Sequence, residues 1–349
     1  MMAMRMPRPV LLTAAIASAS VLVLTGCAKP SEKTSAEALS AVPVAAKAAI
    51  KPAANCNDGQ PPVASLAPDG ITTDPSTWPS DSAMAAIKAK NRLVVGTSGD
   101  VLLWGARNPN TGQLEGFDID VLKQVANALG VGITYKVINY GDRLKDLQNG
   151  SVDLVAHTMT INCARWQGSN GQPNAINFSS EYYQAGQKLL VRSDSKFTRI
   201  QQFSGQSICV PKASTNEELV TGINQDLVKA GKAPVKVEAL DVIGDCLVKF
   251  QEGEVVAVTG DDTVLAGFAK QDPYAEVVGQ PISSEPYGLG VKATAPEFAQ
   301  FVNFVLERMR NDGTLRTIYR ETMGTAIDTP EPGIPQPTYG RIIANLDRP

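Results

Sequence analysis

Residues 157–165 read HTMTINCAR, which places the only histidine of the chain, one of its five cysteines and an arginine within nine positions. Each type brings its own chemistry. A histidine moves protons near neutral pH, a cysteine serves as nucleophile, metal ligand or half of a disulfide, and an arginine forks onto a carboxylate. The run follows VDLVA at 152–156, an apolar stretch with the length of a buried strand. All three candidates therefore sit where a strand gives way to a loop, and the compartment decides among them.

The chain opens MMAMRMPRPVLLTAAIASASVLVLTGC, with Arg5 and Arg8 ahead of an apolar run too short for a membrane span. That order is an export signal. Its end, LTGC at 24–27, resembles a bacterial lipobox, in which the cysteine is acylated and becomes the first mature residue. Residues 1–26 are expected to be a lipoprotein signal peptide and Cys27 the anchor to the cell membrane, on its outer side. Outside the cytoplasm disulfides persist, so Cys56, Cys163, Cys209 and Cys246 suggest two bridges among three possible pairings. A single histidine and no C-x-x-C spacing give no recognisable metal site, and no cofactor is expected. The formal charge is −3, from 32 Lys and Arg against 35 Asp and Glu. Losing Arg5 and Arg8 with the signal leaves 30 against 35, or −5. Such a balance carries no basic footprint for nucleic acid.

Residues 27–80 are expected to be a lipidated flexible tether, because Ala28 to Thr77 is rich in Ala, Pro, Ser and Lys and has no aromatic residue. The roughly 270 residues that follow are long for one core and suit two lobes. Strand and helix patterns alternate along them. RLVVGTS is a branched apolar run, and GFDIDVLKQVANALG places Ile119, Leu122, Val125 and Leu129 at helical spacing, with Asp118 as N-cap candidate. ITYKVIN alternates, YGDRLKDLQNG is helical with a glycine stop, and SVDLVA is the next strand. GQSICVPKA, TNEELVTGINQDLVKAG, VKVEAL, GDCLVKFQEGE and VVAVTGDD repeat the alternation, so the fold class is α/β in two lobes. EYYQAG at 181–186 and EPYGLG at 285–290 bracket this second series. Lobe 1 is then expected over 81–184 and 287–349, with a Pro-rich C-terminal extension, and lobe 2 over 185–286, joined by two crossing strands that favour a hinge. Cys209 and Cys246 share lobe 2, which pairs them and leaves Cys56 for Cys163.

RLVVGTSGD, GFDIDVLKQVANALG, LQNGSVDLVAHTMTINCAR, FSSEYYQAGQKLLV, VVAVTGDDTVLAG, EPYGLGVKA and DGTLRTIYR together resemble, in order, the signature blocks of the extracellular solute-binding proteins of family 3, the polar amino acid-binding proteins of ABC importers. The resemblance covers about residues 90–322. It implies a type II periplasmic-binding-protein clamshell that captures a free polar amino acid (glutamate, aspartate, glutamine or asparagine) and hands it to an ABC permease. Such proteins are not enzymes and are generally monomers.

A free amino acid carries a carboxylate and an ammonium on one carbon, so a pocket that buries it needs a fixed cation, a fixed anion and hydrogen-bond donors. The resemblance assigns Arg165 to the α-carboxylate and Thr160 to a further hydrogen bond. Asn162 stands where the family commonly has a second threonine. For the ammonium it points to the TGDDTV stretch and to Asp262 ahead of Asp261, the other acid being left as a helix N-cap. The turn PKAST leads into a helix N-terminus, where backbone N–H groups and the hydroxyls of Ser214 and Thr215 could meet a carboxylate. Lys212 or Arg107 would supply a second cation for an acidic side chain, and Trp104 an aromatic wall. Cys163 reads as structural and His157 as a satisfied core or interlobe residue. Two other uses of the scaffold stand beside transport: an amino-acid sensor that presents its closed form to a membrane signalling protein, and a dehydratase-like enzyme with His157 as its acid or base.

Overall fold

In the computed structural model, which describes residues 54–168, 175–324 and 334–343, the apolar run Arg92–Thr97 is a central strand. It pairs in parallel with Gly132–Val137 on one side and Leu154–Val155 on the other. Gly290–Lys292 and Ile176–Phe178 complete a five-stranded sheet, with Gly290–Lys292 antiparallel to both of its neighbours. The helix Phe117–Leu129 lies on this sheet and buries Ile119, Leu122, Val125 and Leu129, the positions its periodicity indicates. Asp118 is not its N-cap. Gly116 takes that place at φ 129°, where a Cβ would stand 2.5 Å from the backbone of Trp104. Asp118 instead points inward, fully buried, and accepts from the Tyr182 hydroxyl and the Thr158 N–H.

The second sheet has the order Lys236–Leu240, Ser207–Pro211, Ala257–Asp261, Gln187–Arg192, Ala275–Val278. Its first three strands are parallel and the last two antiparallel to their neighbours. The Cys209–Cys246 disulfide ties its strand Ser207–Pro211 to the helix Ile243–Glu252. Between the sheets the chain passes along Tyr183–Ala185 and returns along Glu285–Tyr287, two short antiparallel strands paired through Tyr183 and Tyr287. The molecule is a two-lobed α/β clamshell with two strand crossings.

Residues 54–80, expected within the tether, are packed. Ala64–Ser65 pairs in parallel with Thr338–Tyr339 of the Pro-rich C-terminal segment. Asn303 donates to the Ser65 hydroxyl and the Leu66 carbonyl, and Trp78 packs edge-on against Phe301. Backbone pairing and one tryptophan do here what the composition suggested no aromatic was present to do. Arg341 then closes the two termini together, donating to the carbonyls of Ala64 and Pro61 and pairing with Asp58 at 3.0 Å. The expectations for residues 1–53, Cys27 among them, lie outside the described residues.

Candidate functional site

Arg165 rides on a helix of only five residues, Cys163–Gln167. A single turn has little stability of its own, so its neighbours fix it. Asn162 caps it, accepting from the Arg165 N–H at 2.9 Å. Cys163 is bonded to Cys56, with Cα atoms 5.2 Å apart. Trp166 donates to the Pro62 carbonyl and lies against Phe178. The Arg165 side chain turns inward, buried, with one Nη1–H on the Thr160 carbonyl at 2.6 Å. Burial lowers its pKa, while Glu218, Glu285 and Asp261 act against that shift.

A cavity of about 200 Å³ opens in front of it, lined by Tyr140, Arg143, Asn162 and Arg165 from the first lobe and by Ala213 and Glu218 from the second. Sequence reasoning missed Arg143, as it missed Tyr140 and Glu285. Arg143 lies beside the Tyr140 ring, 4.6 Å from its centre, and donates to the carbonyls of Tyr140, His157 and, across the cleft, Ala213. Burial, and after it the charge of Arg165, brings its pKa down to about 9. An arginine on a short polar helix resembles any solvated charge, and nothing in its spacing marks it.

The acidic side of the cleft is a connected cluster. Glu285, on the returning strand, accepts at one oxygen from Thr160 at 2.7 Å and from Thr215 at 2.8 Å, so hydroxyls from both lobes meet on one carboxylate. Asp261 ends the strand Ala257–Asp261 fully inside and accepts from Asn216 and from the Tyr287 hydroxyl. Burial and the neighbouring Glu285 charge raise its pKa. Asp262 opens the following helix and turns to the backbone, accepting from the Gly186 and Thr263 N–H groups. Asp261 thus faces the cluster, while Asp262, expected ahead of it at the ligand ammonium, is bonded to the backbone.

Other candidates take up different stations. Trp104 is fully buried, donates to Thr263 at 3.1 Å, and stands edge-on to Tyr183 and Tyr287 as a wedge between lobes; Tyr140 is the aromatic that lines the cavity. Ser214 caps its helix and its hydroxyl is spent on Pro211 and Glu217, while Thr215 gives its hydroxyl to Glu285. Lys212 pairs with Asp241 at the surface, and Arg107 folds back on the Gly112 carbonyl, so neither lines the cavity. His157 is buried, with Nε2 3.1 Å from the Ile138 carbonyl and the Tyr140 ring against its face. Burial and Arg143 push its pKa down to about 3. It is neutral and is shielded from the cleft by Tyr140 and Arg143.

Residues 93–325 match the model of the bacterial extracellular solute-binding proteins, family 3. The glutamine-binding protein GlnH of Bacillus subtilis is 31% identical over 243 residues, 68% of this chain and 83% of that one. The glutamate-binding protein GluB of Corynebacterium glutamicum is 30% identical over 272 residues, 73% and 86%. Among solved structures, an ancestral arginine-binding protein bound to glutamine superposes with a TM-score of 0.60 at 32% identity, over 67% of this chain and 98% of that one. These relatives are binding proteins and not enzymes. The chain belongs to the bacterial extracellular solute-binding proteins, family 3.

Proposed function

We propose that this protein is the receptor lipoprotein of an ABC importer, tethered outside the cell membrane through Cys27, and that it captures a polar L-amino acid between its lobes for the permease. The observation that carries the reading is Arg165: a buried guanidinium with one bond, to the Thr160 carbonyl, that lines an interlobe cavity. An unpaired buried cation is costly unless a partner arrives. The α-carboxylate of an amino acid is that partner, and the carboxylates of Asp261 and Glu285 receive its ammonium. Both lobes contribute, so the ligand favours the closed form, which is the shape a permease would read. Losing Arg165 costs about 3 to 5 kcal/mol of binding.

The test is a panel of the twenty amino acids added to protein stripped of carried-over ligand by unfolding and oxidative refolding. A ligand of the folded state raises the unfolding temperature with concentration. Polar amino acids should do so and apolar ones should not; no shift from any of them, in folded protein, removes the reading. In cells, Cys27→Ser should move the protein out of the membrane fraction and reduce uptake of the same amino acid.

A further inference from the structure

Two buried guanidiniums, Arg143 and Arg165, line one cavity. Among the described residues neither has a carboxylate within ion-pair distance. Two like charges held together away from water repel each other and lose hydration, a combination that calls for negative charge from elsewhere. Arg165 has one hydrogen bond, to Thr160, and is provided for by an α-carboxylate. Arg143 is left over.

Its orientation bears on its use. Nε and Nη1 are held by the carbonyls of Tyr140, His157 and Thr158, and Nη2 reaches Ala213 of the second lobe at 3.5 Å, which leaves one Nη2–H with no partner among the described residues. Carbonyls fix the plane of a guanidinium without neutralising it. Of the residues lining the cavity, Glu218 is the one acid, and it is exposed at the rim. With Arg165 assigned to the α-carboxylate and Asp261 and Glu285 to the ammonium, Arg143 is the buried cation of the lining that has no assigned partner. A carboxylate on the ligand side chain supplies that partner as a charged acceptor, whereas the corresponding amide offers only a neutral one.

We infer that Arg143 binds a second carboxylate on the ligand, so that the receptor takes an acidic amino acid in preference to the corresponding amide. This rests on the proposed receptor function and deepens it. A site built to meet a charged oxygen rejects the analogue that leaves it unpaired.

The experiment is calorimetric titration of the ligand-stripped full chain with L-glutamate, L-aspartate, L-glutamine and L-asparagine, repeated on Arg143→Met and Arg143→Lys. Wild type should bind the better acid at least about tenfold more tightly than its amide. Arg143→Met should lose that preference, to within about threefold, mainly by weakening the acid, and Arg143→Lys should keep its direction. Wild type preferring an amide overturns the inference and leaves the receptor function standing, as does a folded Arg143→Met with its acid preference intact. Should Arg143→Met fail to fold, wild type and Arg143→Lys decide: acid preference in both supports the inference, and its absence in either overturns it. Binding of none of the four by folded wild type overturns the inference, and the panel of twenty then decides the receptor reading separately.

Discussion

The Arg341 guanidinium lies 4.0 Å from the centre of the Trp166 ring, and Trp166 is the immediate neighbour of Arg165. The C-terminal segment, beyond the stretch that matches the family model, thus lies against the short helix that carries Arg165. Arg341→Ala removes this cation–π contact and strands the carbonyls of Ala64 and Pro61, at a cost of about 2 kcal/mol or more. Hydrogen exchange followed by mass spectrometry should show faster exchange in residues 161–168 of the variant, with the second lobe unchanged.

The two disulfides should separate in their effects. Cys56–Cys163 closes a loop of 107 residues and holds the Arg165 helix; Cys209–Cys246 spans 37 and lies inside the second lobe. Removing either costs about 2 to 5 kcal/mol. Only the Cys56→Ser, Cys163→Ser double variant should also weaken ligand binding, measured by titration at a temperature where both variants are fully folded.

Glu285 gathers hydroxyls from both lobes, Thr160 and Thr215, and so acts as a latch on the closed form. Glu285→Ala should open the free protein, seen as a larger radius of gyration by small-angle scattering, at about 1 to 3 kcal/mol against closure. Glu285→Gln keeps an acceptor and should stay nearer wild type. It also removes a charge that raises the Asp261 pKa, which should fall.

His157 makes the acid limb of stability steeper. Its folded pKa, about 3, is below the unfolded value of 6.5, so the unfolded state binds the extra proton between those limits. Its contribution is complete above about pH 6.5 and is lost as pH falls toward 3, by up to about 1.4 kcal/mol per pH unit. His157→Gln should be flatter over that window in urea unfolding, and the two curves should run parallel above pH 7.

The alternation of strand and helix was legible in the sequence because buried faces impose periods, and VDLVA or GFDIDVLKQVANALG can satisfy one period only. The termini were not legible. Ala64–Ser65 and Thr338–Tyr339 pair through backbone atoms across more than half the chain, and Arg341 finds Trp166 by proximity that no local pattern encodes. Choosing between Asp261 and Asp262 turned on one residue of register, which separates a strand end facing the cleft from a helix start facing the backbone. Arg143 was hidden for a related reason: the helix Asp142–Gln148 is polar enough to pass for a surface helix, while Arg143, Asp146 and Leu147 are buried.

The most direct measurement is a calorimetric titration of wild type and Arg165→Met, both ligand-stripped and refolded under oxidising conditions, with the best ligand of the amino-acid panel. Wild type should saturate with one ligand per chain. Arg165→Met should give no measurable binding while its unfolding midpoint without ligand is unchanged or higher, since the variant sheds an unpaired buried charge. Binding by Arg165→Met within about threefold of wild type would contradict the assignment of the ligand carboxylate to Arg165 and, with it, the site described between the lobes.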